Sequence, residues 1–228
     1  GCDLDLMRVF VAGATGKTGK HIVRQLINQD VSVTALVRNL EQARTILPET
    51  AKLIEGDVLN PATFESSLSD CNALICATGA SPSFDPTGPY KVDYEGTKNL
   101  VDAAQRQGIE HFVLVSSLCT SKFFHPLNLF WLILKKKKQA ENYIQASGIP
   151  YTIVRPGGLK EEDNADNIIM SQANTLFDGS IPRQKVAQVC VEALSQPTAK
   201  SAIVELVASP DAASKSWSEL FAGAILAS

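Results

Sequence analysis

Residues 8–19 read Arg8-Val9-Phe10-Val11-Ala12-Gly13-Ala14-Thr15-Gly16-Lys17-Thr18-Gly19, a short apolar run that passes directly into a glycine triplet. The run predicts a strand, and the apolar spacing of His21–Gln29 after it predicts a helix. In that setting the GxxGxxG spacing reads as a phosphate loop. Gly13 permits the tight turn, Gly16 lets backbone approach a pyrophosphate, and Gly19 lets the helix pack close to the strand. The helix N-terminus adds free N–H groups and a partial positive charge. Thr15, Lys17 and Thr18 complete the loop and are expected to bind the same ligand.

Working outward, six more short runs predict strands: Ser32–Val37, Lys52–Glu55, Ala73–Cys76, His111–Val115, Tyr151–Val154 and Ala202–Val207. Between them His21–Gln29, Pro61–Leu68, Tyr94–Gln107, Lys135–Ala146 and Lys185–Ser195 carry helical spacing. Apolar strands alternating with helices predict an α/β fold of Rossmann type. Its sheet is doubly wound and parallel, of about seven strands, with a small C-terminal extension and its ligands beyond the carboxyl ends of the strands. Residues 7–228 form one domain, and residues 1–6 are set aside as a leader or tag remnant. Residues 157–182, rich in Asp and Asn, are expected to form a mobile flap over the nicotinamide side rather than packed structure.

Composition narrows the function classes. The 228 residues include 45% hydrophobic and 20% charged side chains, the balance of a globular protein. A net charge of −3 argues against a nucleic-acid partner, which needs a broad basic surface. Five scattered cysteines, Cys2, Cys71, Cys76, Cys119 and Cys190, form no CxxC pair and read as small buried apolar residues. No metal site is expected. His21, His111 and His125 are isolated and are expected at the surface or at helix ends. No apolar run approaches the roughly 18 residues of a membrane span.

The end of the second predicted strand selects the cofactor. NAD sites place an acid there for the ribose 2′-hydroxyl, whereas this chain has Val37-Arg38-Asn39. A guanidinium forks onto a 2′-phosphate that a carboxylate would repel, and Lys17 adds a second charge nearby, so NADP(H) is expected. Asp57 could accept from the adenine amino group and Val58 offers a backbone N–H. Ala77, Thr78 and Gly79 could admit the adenosine ribose and pyrophosphate. Both segments could equally be ordinary strand-end turns.

The same residues resemble a known family. Gly13–Gly19, Gly56-Asp57-Val58, Val92-Asp93-Tyr94-Glu95-Gly96-Thr97 with Asn99-Leu100, Val115-Ser116-Ser117 and Arg155-Pro156-Gly157-Gly158 follow the order of atypical short-chain dehydrogenases/reductases of the NAD(P)H-binding type. Asn128-Leu129-Phe130-Trp131, the lysine run with Ala140-Glu141, and Tyr151 through Gly158 are most similar to the dehydrogenase-like domains of the chloroplast Tic translocon and their cyanobacterial relatives. The resemblance implies that Ser116, Ser117, Lys137, Pro156, Gly157 and Gly158 join the cofactor site. It also implies a Ser–Tyr–Lys centre, in which Tyr exchanges the proton, Lys lowers its pKa and Ser orients the carbonyl. Ser117 matches the serine, and the spacing to Glu141 gives Lys137 as the lysine. The tyrosine position is then Ile133, which cannot transfer a proton. Tyr94-Glu95-Gly96-Thr97-Lys98 also spells YxxxK, but it precedes the fifth strand and reads as structural.

Leu127–Leu134 is nearly unbroken apolar sequence followed by Lys135–Lys138. It fits a membrane-surface patch, or a buried helix start in which Lys137 alone faces the cofactor. Two functions of different class fit the whole. One is an NADPH-dependent oxidoreductase lacking the usual tyrosine and acting on a small or electron-accepting substrate. The other is a non-catalytic NADP(H)-binding redox sensor or assembly scaffold at photosynthetic membranes. The expected location is the cyanobacterial cytoplasm or the chloroplast stroma, peripheral to a membrane or bound to a protein partner.

Overall fold

A computed structural model describes residues 6–78, 92–118, 129–176 and 178–225. In chain order the first half contains β1 (Arg8–Ala12), α1 (Gly19–Asn28), β2 (Ser32–Val37), α2 (Leu40–Ile46), β3 (Lys52–Glu55), β4 (Ala73–Cys76), α3 (Thr97–Arg106) and β5 (His111–Val115). The second half contains α4 (Leu129–Ser147), β6 (Tyr151–Pro156), β7 (Gly158–Lys160), β8 (Asn167–Gln172), β9 (Ser180–Pro182), α5 (Arg183–Ala193), β10 (Ala202–Ser209) and α6 (Trp217–Ile225).

Strand β1 shows why the sheet is covered twice. Val9 and Val11 enter one apolar layer, Phe10 and Ala12 the other, and all four are fully buried. Successive side chains of a strand point to opposite faces, so four successive apolar positions need cover on both. On one side Ile22 of α1, Ala43 of α2, Val186 of α5 and Phe221 of α6 provide it. On the other side Phe64, Leu68, Leu100 of α3 and Ile144 of α4 do the same.

The parallel strands run β3-β2-β1-β4-β5-β6-β10, the seven expected from the sequence. Val9 pairs with Val33 on one side and Ala73 on the other, so the order reverses between β1 and β4. Such a reversal opens a crevice beyond the carboxyl ends of the two strands.

Three further strands extend this frame. Residues 157–182, expected to be irregular, hold β7, β8 and β9, with β8 and β9 antiparallel to β10 and β7 parallel to β9. The cause lies on β10. The Glu205 carboxylate, 2% exposed, accepts from the backbone N–H groups of Asn174 and Thr175 at 3.0 Å and of Leu176 at 2.9 Å. A buried carboxylate needs donors, and the turn after β8 supplies them.

Other local expectations differ. Pro61–Leu68 forms 3-10 turns, Pro61–Thr63 and Glu65–Asp70, instead of an α-helix. The Thr63 and Ser69 hydroxyls donate back to the carbonyls of Asn60 and Ser66, which favours the tighter winding. Helix α2 is not predicted by the apolar spacing; the Asn39 side chain starts it by accepting from Gln42 N–H at 3.1 Å. Helix α4 begins at Leu129 rather than Lys135. His111 is not at the surface but 2% exposed on β5. Its Nε2 lies 2.7 Å from Thr152 Oγ1, whose own proton goes to the Ala199 carbonyl. Nε2 is therefore the donor and Nδ1 the bare nitrogen, and burial, aided by Lys200, pushes the ring's pKa down to about 4. Cys71, Cys76 and Cys190 are buried, as expected; Cys2, Cys119 and His125 lie outside the described residues.

Candidate functional site

The expected site residues that are described gather at the carboxyl ends of the parallel strands. Gly13, at φ +75°, closes the turn after β1 in a conformation that favours glycine. A Cβ there would stand 2.6 Å from the Ala77 carbonyl, and one at Gly19 would fall 1.8 Å from the Gly13 oxygen. These two glycines therefore let loop, helix and β4 meet. Gly16 differs: its N–H donates to Gly13 O at 3.1 Å, and a Cβ would meet only that oxygen, at 3.2 Å. Gly16 is exposed, so its outer side leaves the loop backbone open to a ligand. Thr15 is half-buried beside it, Lys17 is exposed and Thr18 is buried.

Two residues not anticipated from the sequence adjoin this loop. Glu161 Oε1 lies 3.7 Å from Lys17 Nζ and accepts from Arg183 Nε at 2.9 Å. Arg183 Nη1 also donates to Thr18 Oγ1 at 3.2 Å. Neither Glu161 nor Arg183 belongs to a motif, so only the fold brings them to the loop.

On the adenosine side Arg38 follows β2, with its side chain 79% exposed and Nη2 3.6 Å from Asp57 Oδ2. The other Asp57 oxygen accepts from Leu59 N–H at 2.9 Å. Val58 is buried, and its carbonyl accepts from Asn99 Nδ2 at 3.0 Å. Through that bond the Gly-Thr-x-Asn-Leu stretch holds the loop after β3 in place. Ala77 and Thr78 follow β4; Gly79 lies outside the described residues.

Beyond β5 the two serines separate. Ser116 Oγ donates to Glu141 Oε2 at 2.6 Å, whereas Ser117 Oγ is buried without a hydrogen-bond partner among the described residues. A buried hydroxyl without a partner is uncommon and fits a group that completes itself on a ligand. Glu141 is fully buried and belongs to a charged core. Arg155 donates to Glu141 Oε1 at 2.6 Å and Oε2 at 3.2 Å, to Glu205 at 3.2 Å and to Asn174 Oδ1 at 3.2 Å. At the rim, Lys138 Nζ stands 3.8 Å from Glu141. In the sequence Glu141 is no more than a spacing marker for Lys137; in the fold it anchors this core.

Positions 133, 137 and 141 share one face of α4. This helix runs antiparallel to the strands it connects, so the path from Glu141 to Lys137 leads outward past the carboxyl ends. Lys137 is half-buried there. The YxxxK pair occupies the seam between α3 and α4 instead: Lys136 Nζ lies 5.4 Å from the Tyr94 ring and Lys98 Nζ 5.6 Å from the Tyr143 ring. Tyr94 and Lys98 thus face different partners. Pro156, the last residue of β6, is buried, and Gly157 after it is required by packing: a Cβ would stand 2.7 Å from Gly179 O. Gly158 N–H donates to that same oxygen at 3.0 Å.

The family model described as NAD(P)H-binding matches residues 13–197, from the first loop glycine past α5. The chain belongs to this family. Its relatives include an uncharacterized chloroplastic protein of Arabidopsis thaliana, 46% identical over 94% of this chain and 81% of that protein. Another is the chloroplastic protein TIC 62 of Pisum sativum, 40% identical over 88% of this chain and 42% of that protein. The chain thus spans less than half the length of TIC 62. Among solved structures, a putative NAD-dependent epimerase/dehydratase from Bacillus halodurans matches with a TM-score of 0.80 at 28% identity, over 89% of this chain and 94% of that one. NAD(P)H-binding Rossmann proteins of oxidoreductase-like character are therefore its kin, and chloroplastic proteins are among its relatives. Among the described residues no helix is long and apolar enough to cross a membrane.

Proposed function

We propose that this chain is an NADP(H)-dependent oxidoreductase of the atypical short-chain dehydrogenase/reductase kind, working without the usual tyrosine on a small or electron-accepting substrate. The observation that carries an enzymatic role is the buried Ser117 hydroxyl at the end of β5, beside the cleft, with no partner among the described residues. Arg38 supports NADP(H) over NAD(H), since its exposed guanidinium stands where an acid would otherwise serve the ribose. Gly13, Gly16 and Gly19, with Thr15, Lys17 and Thr18, cradle the pyrophosphate. Asp57, Val58, Ala77 and Thr78 border the adenosine. Lys137 donates to the nicotinamide ribose, and Ser116 works from beneath by holding Glu141. Pro156 to Gly158 and the strands after them form the flap over the nicotinamide side. When bound, NADPH supplies a hydride. With isoleucine at position 133, the acceptor must be one that needs no proton from that position, such as a flavin or a quinone.

A second function is favoured by that same isoleucine and by the chloroplastic relatives: a non-catalytic NADP(H)-binding redox sensor or assembly scaffold at photosynthetic membranes. It places the protein in the stroma or the cyanobacterial cytoplasm, at the membrane surface through Lys135–Lys138. NADPH oxidation against a panel of quinones, flavins and carbonyls separates the two. Turnover that Ser117→Ala abolishes supports the enzyme, and tight NADPH binding without turnover supports the sensor.

A further inference from the structure

Nothing in the glycine loop itself accounts for the cluster of Lys17, Glu161 and Arg183. One carboxylate oxygen, Glu161 Oε1, sits between two cations: Lys17 Nζ at 3.7 Å from the loop and Arg183 Nε at 2.9 Å from the first residue of α5. The Arg183 side chain is only 18% exposed and is steadied by its bond to Thr18 Oγ1, whereas Glu161 is 57% exposed and Lys17 70%. Arg183 is thus held in place, whereas Glu161 and Lys17 both sit on the surface. Exposed ion pairs of this kind hold weakly in water. Partial desolvation raises the Glu161 pKa, but Arg183, Lys17 and Lys20 outweigh it and keep the carboxyl below its ordinary range. The surroundings of this oxygen therefore favour negative charge.

We infer that Arg183 is a phosphate ligand for the cofactor's pyrophosphate, supplied by α5 from across the loop, and that Glu161 occupies its place until the cofactor displaces it. This rests on the loop binding a nicotinamide dinucleotide, as proposed above. A pyrophosphate carries more charge than one carboxylate and can engage the planar guanidinium by two parallel bonds, so it outcompetes the surface glutamate. Glu161 then has a cost and a use: it lowers cofactor affinity, and it keeps Arg183 pointed at the loop in the free protein. Because the pyrophosphate is common to both nicotinamide dinucleotides, Arg183 acts on both alike. Arg38, at the other end of the adenosine, is the residue that distinguishes them.

Calorimetric titration of the wild type, Arg183→Gln and Glu161→Gln with NADPH and with NADH tests this, with melting temperature as the check on folding. Arg183→Gln is expected to weaken both cofactors by the same factor, about tenfold. Glu161→Gln is expected to tighten both by about threefold, less so at high salt. Unchanged affinity in a folded Arg183→Gln overturns the assignment, and so does a loss confined to NADPH, which would move Arg183 to the 2′-phosphate. Weaker binding by Glu161→Gln overturns the displacement, and because Glu161 is exposed this arm decides even if Arg183→Gln does not fold. A wild type that binds neither cofactor overturns the cofactor site itself, an outcome distinct from a wild type that binds both and is indifferent to Arg183.

Discussion

Ser116 and Glu141 share a 2.6 Å hydrogen bond in the interior, joining the end of β5 to the middle of α4. The bond divides the work of two adjacent serines. Ser116 is committed to the framework, and the Ser117 hydroxyl has no partner among the described residues. Through Arg155 the same carboxylate reaches Glu205, and from there the turn at 174–176. Helix α4, the strand ends and the base of the flap are therefore held in register by one buried network.

The first prediction concerns that network. Arg155→Met removes the buried cation that Glu141 and Glu205 share and should cost about 3–5 kcal/mol of stability. Urea unfolding monitored by circular dichroism measures it. A loss below about 1 kcal/mol would mean that the network is not what holds these elements together.

The two serines should respond in opposite ways. Ser116→Ala strips a donor from a buried carboxylate and should destabilise by about 1–3 kcal/mol. Ser117→Ala removes a hydroxyl that has no partner among the described residues, so stability should stay level or rise slightly while turnover of NADPH falls. Equal destabilisation by both would show that Ser117 is structural.

His111 makes stability depend on pH. Its pKa is about 4 in the folded chain and 6.5 when unfolded, so between those values the unfolded state binds more protons. Stability should be flat above pH 6.5 on this account and should fall as pH drops toward 4, by about 3 kcal/mol in all. His111→Gln should remove that slope. Denaturant midpoints from about pH 4 to about pH 8 provide the check; an unaltered slope in the variant would assign the acid sensitivity to other groups.

The decoy motif and the lysine run can be tested together. Tyr94→Phe should leave NADPH affinity and oxidation within about threefold, because its ring packs with Lys136. Lys137→Ala should weaken NADPH by about 1–2 kcal/mol, and Lys135→Ala barely. Similar small effects at all the lysines, with all contributing to binding of anionic vesicles, would favour the membrane patch instead.

Much of this is legible in the sequence because burial on both faces leaves a plain mark. β1 to β5 have the expected bounds; β1, β2, β4 and β5 are short, largely buried apolar runs, and β3 (Lys52–Glu55) is the half-exposed edge. The glycine loop after β1 is legible because Gly13 and Gly19 tolerate no side chain. What escapes is set by distant partners. The segment 157–182 is polar enough to suggest irregular chain, and its strands exist because Glu205 meets three backbone donors at separations of 29 to 31 residues. His111 carries no local sign of burial; Thr152, across the β5–β6 pair, provides for it. Arg183 and Glu161 are ordinary charges in sequence and become neighbours of the glycine loop only when α5 packs beside α1.

On the proposed function, the chain binds NADP(H) at the carboxyl ends of its strands and selects it through Arg38. Titration of NADPH and NADH into the wild type and into Arg38→Asp is the decisive measurement. The wild type should prefer NADPH. The variant should lose about 2–4 kcal/mol toward NADPH, from one missing charge-assisted pair and a new repulsion, while NADH changes little. An unchanged preference in Arg38→Asp would contradict it.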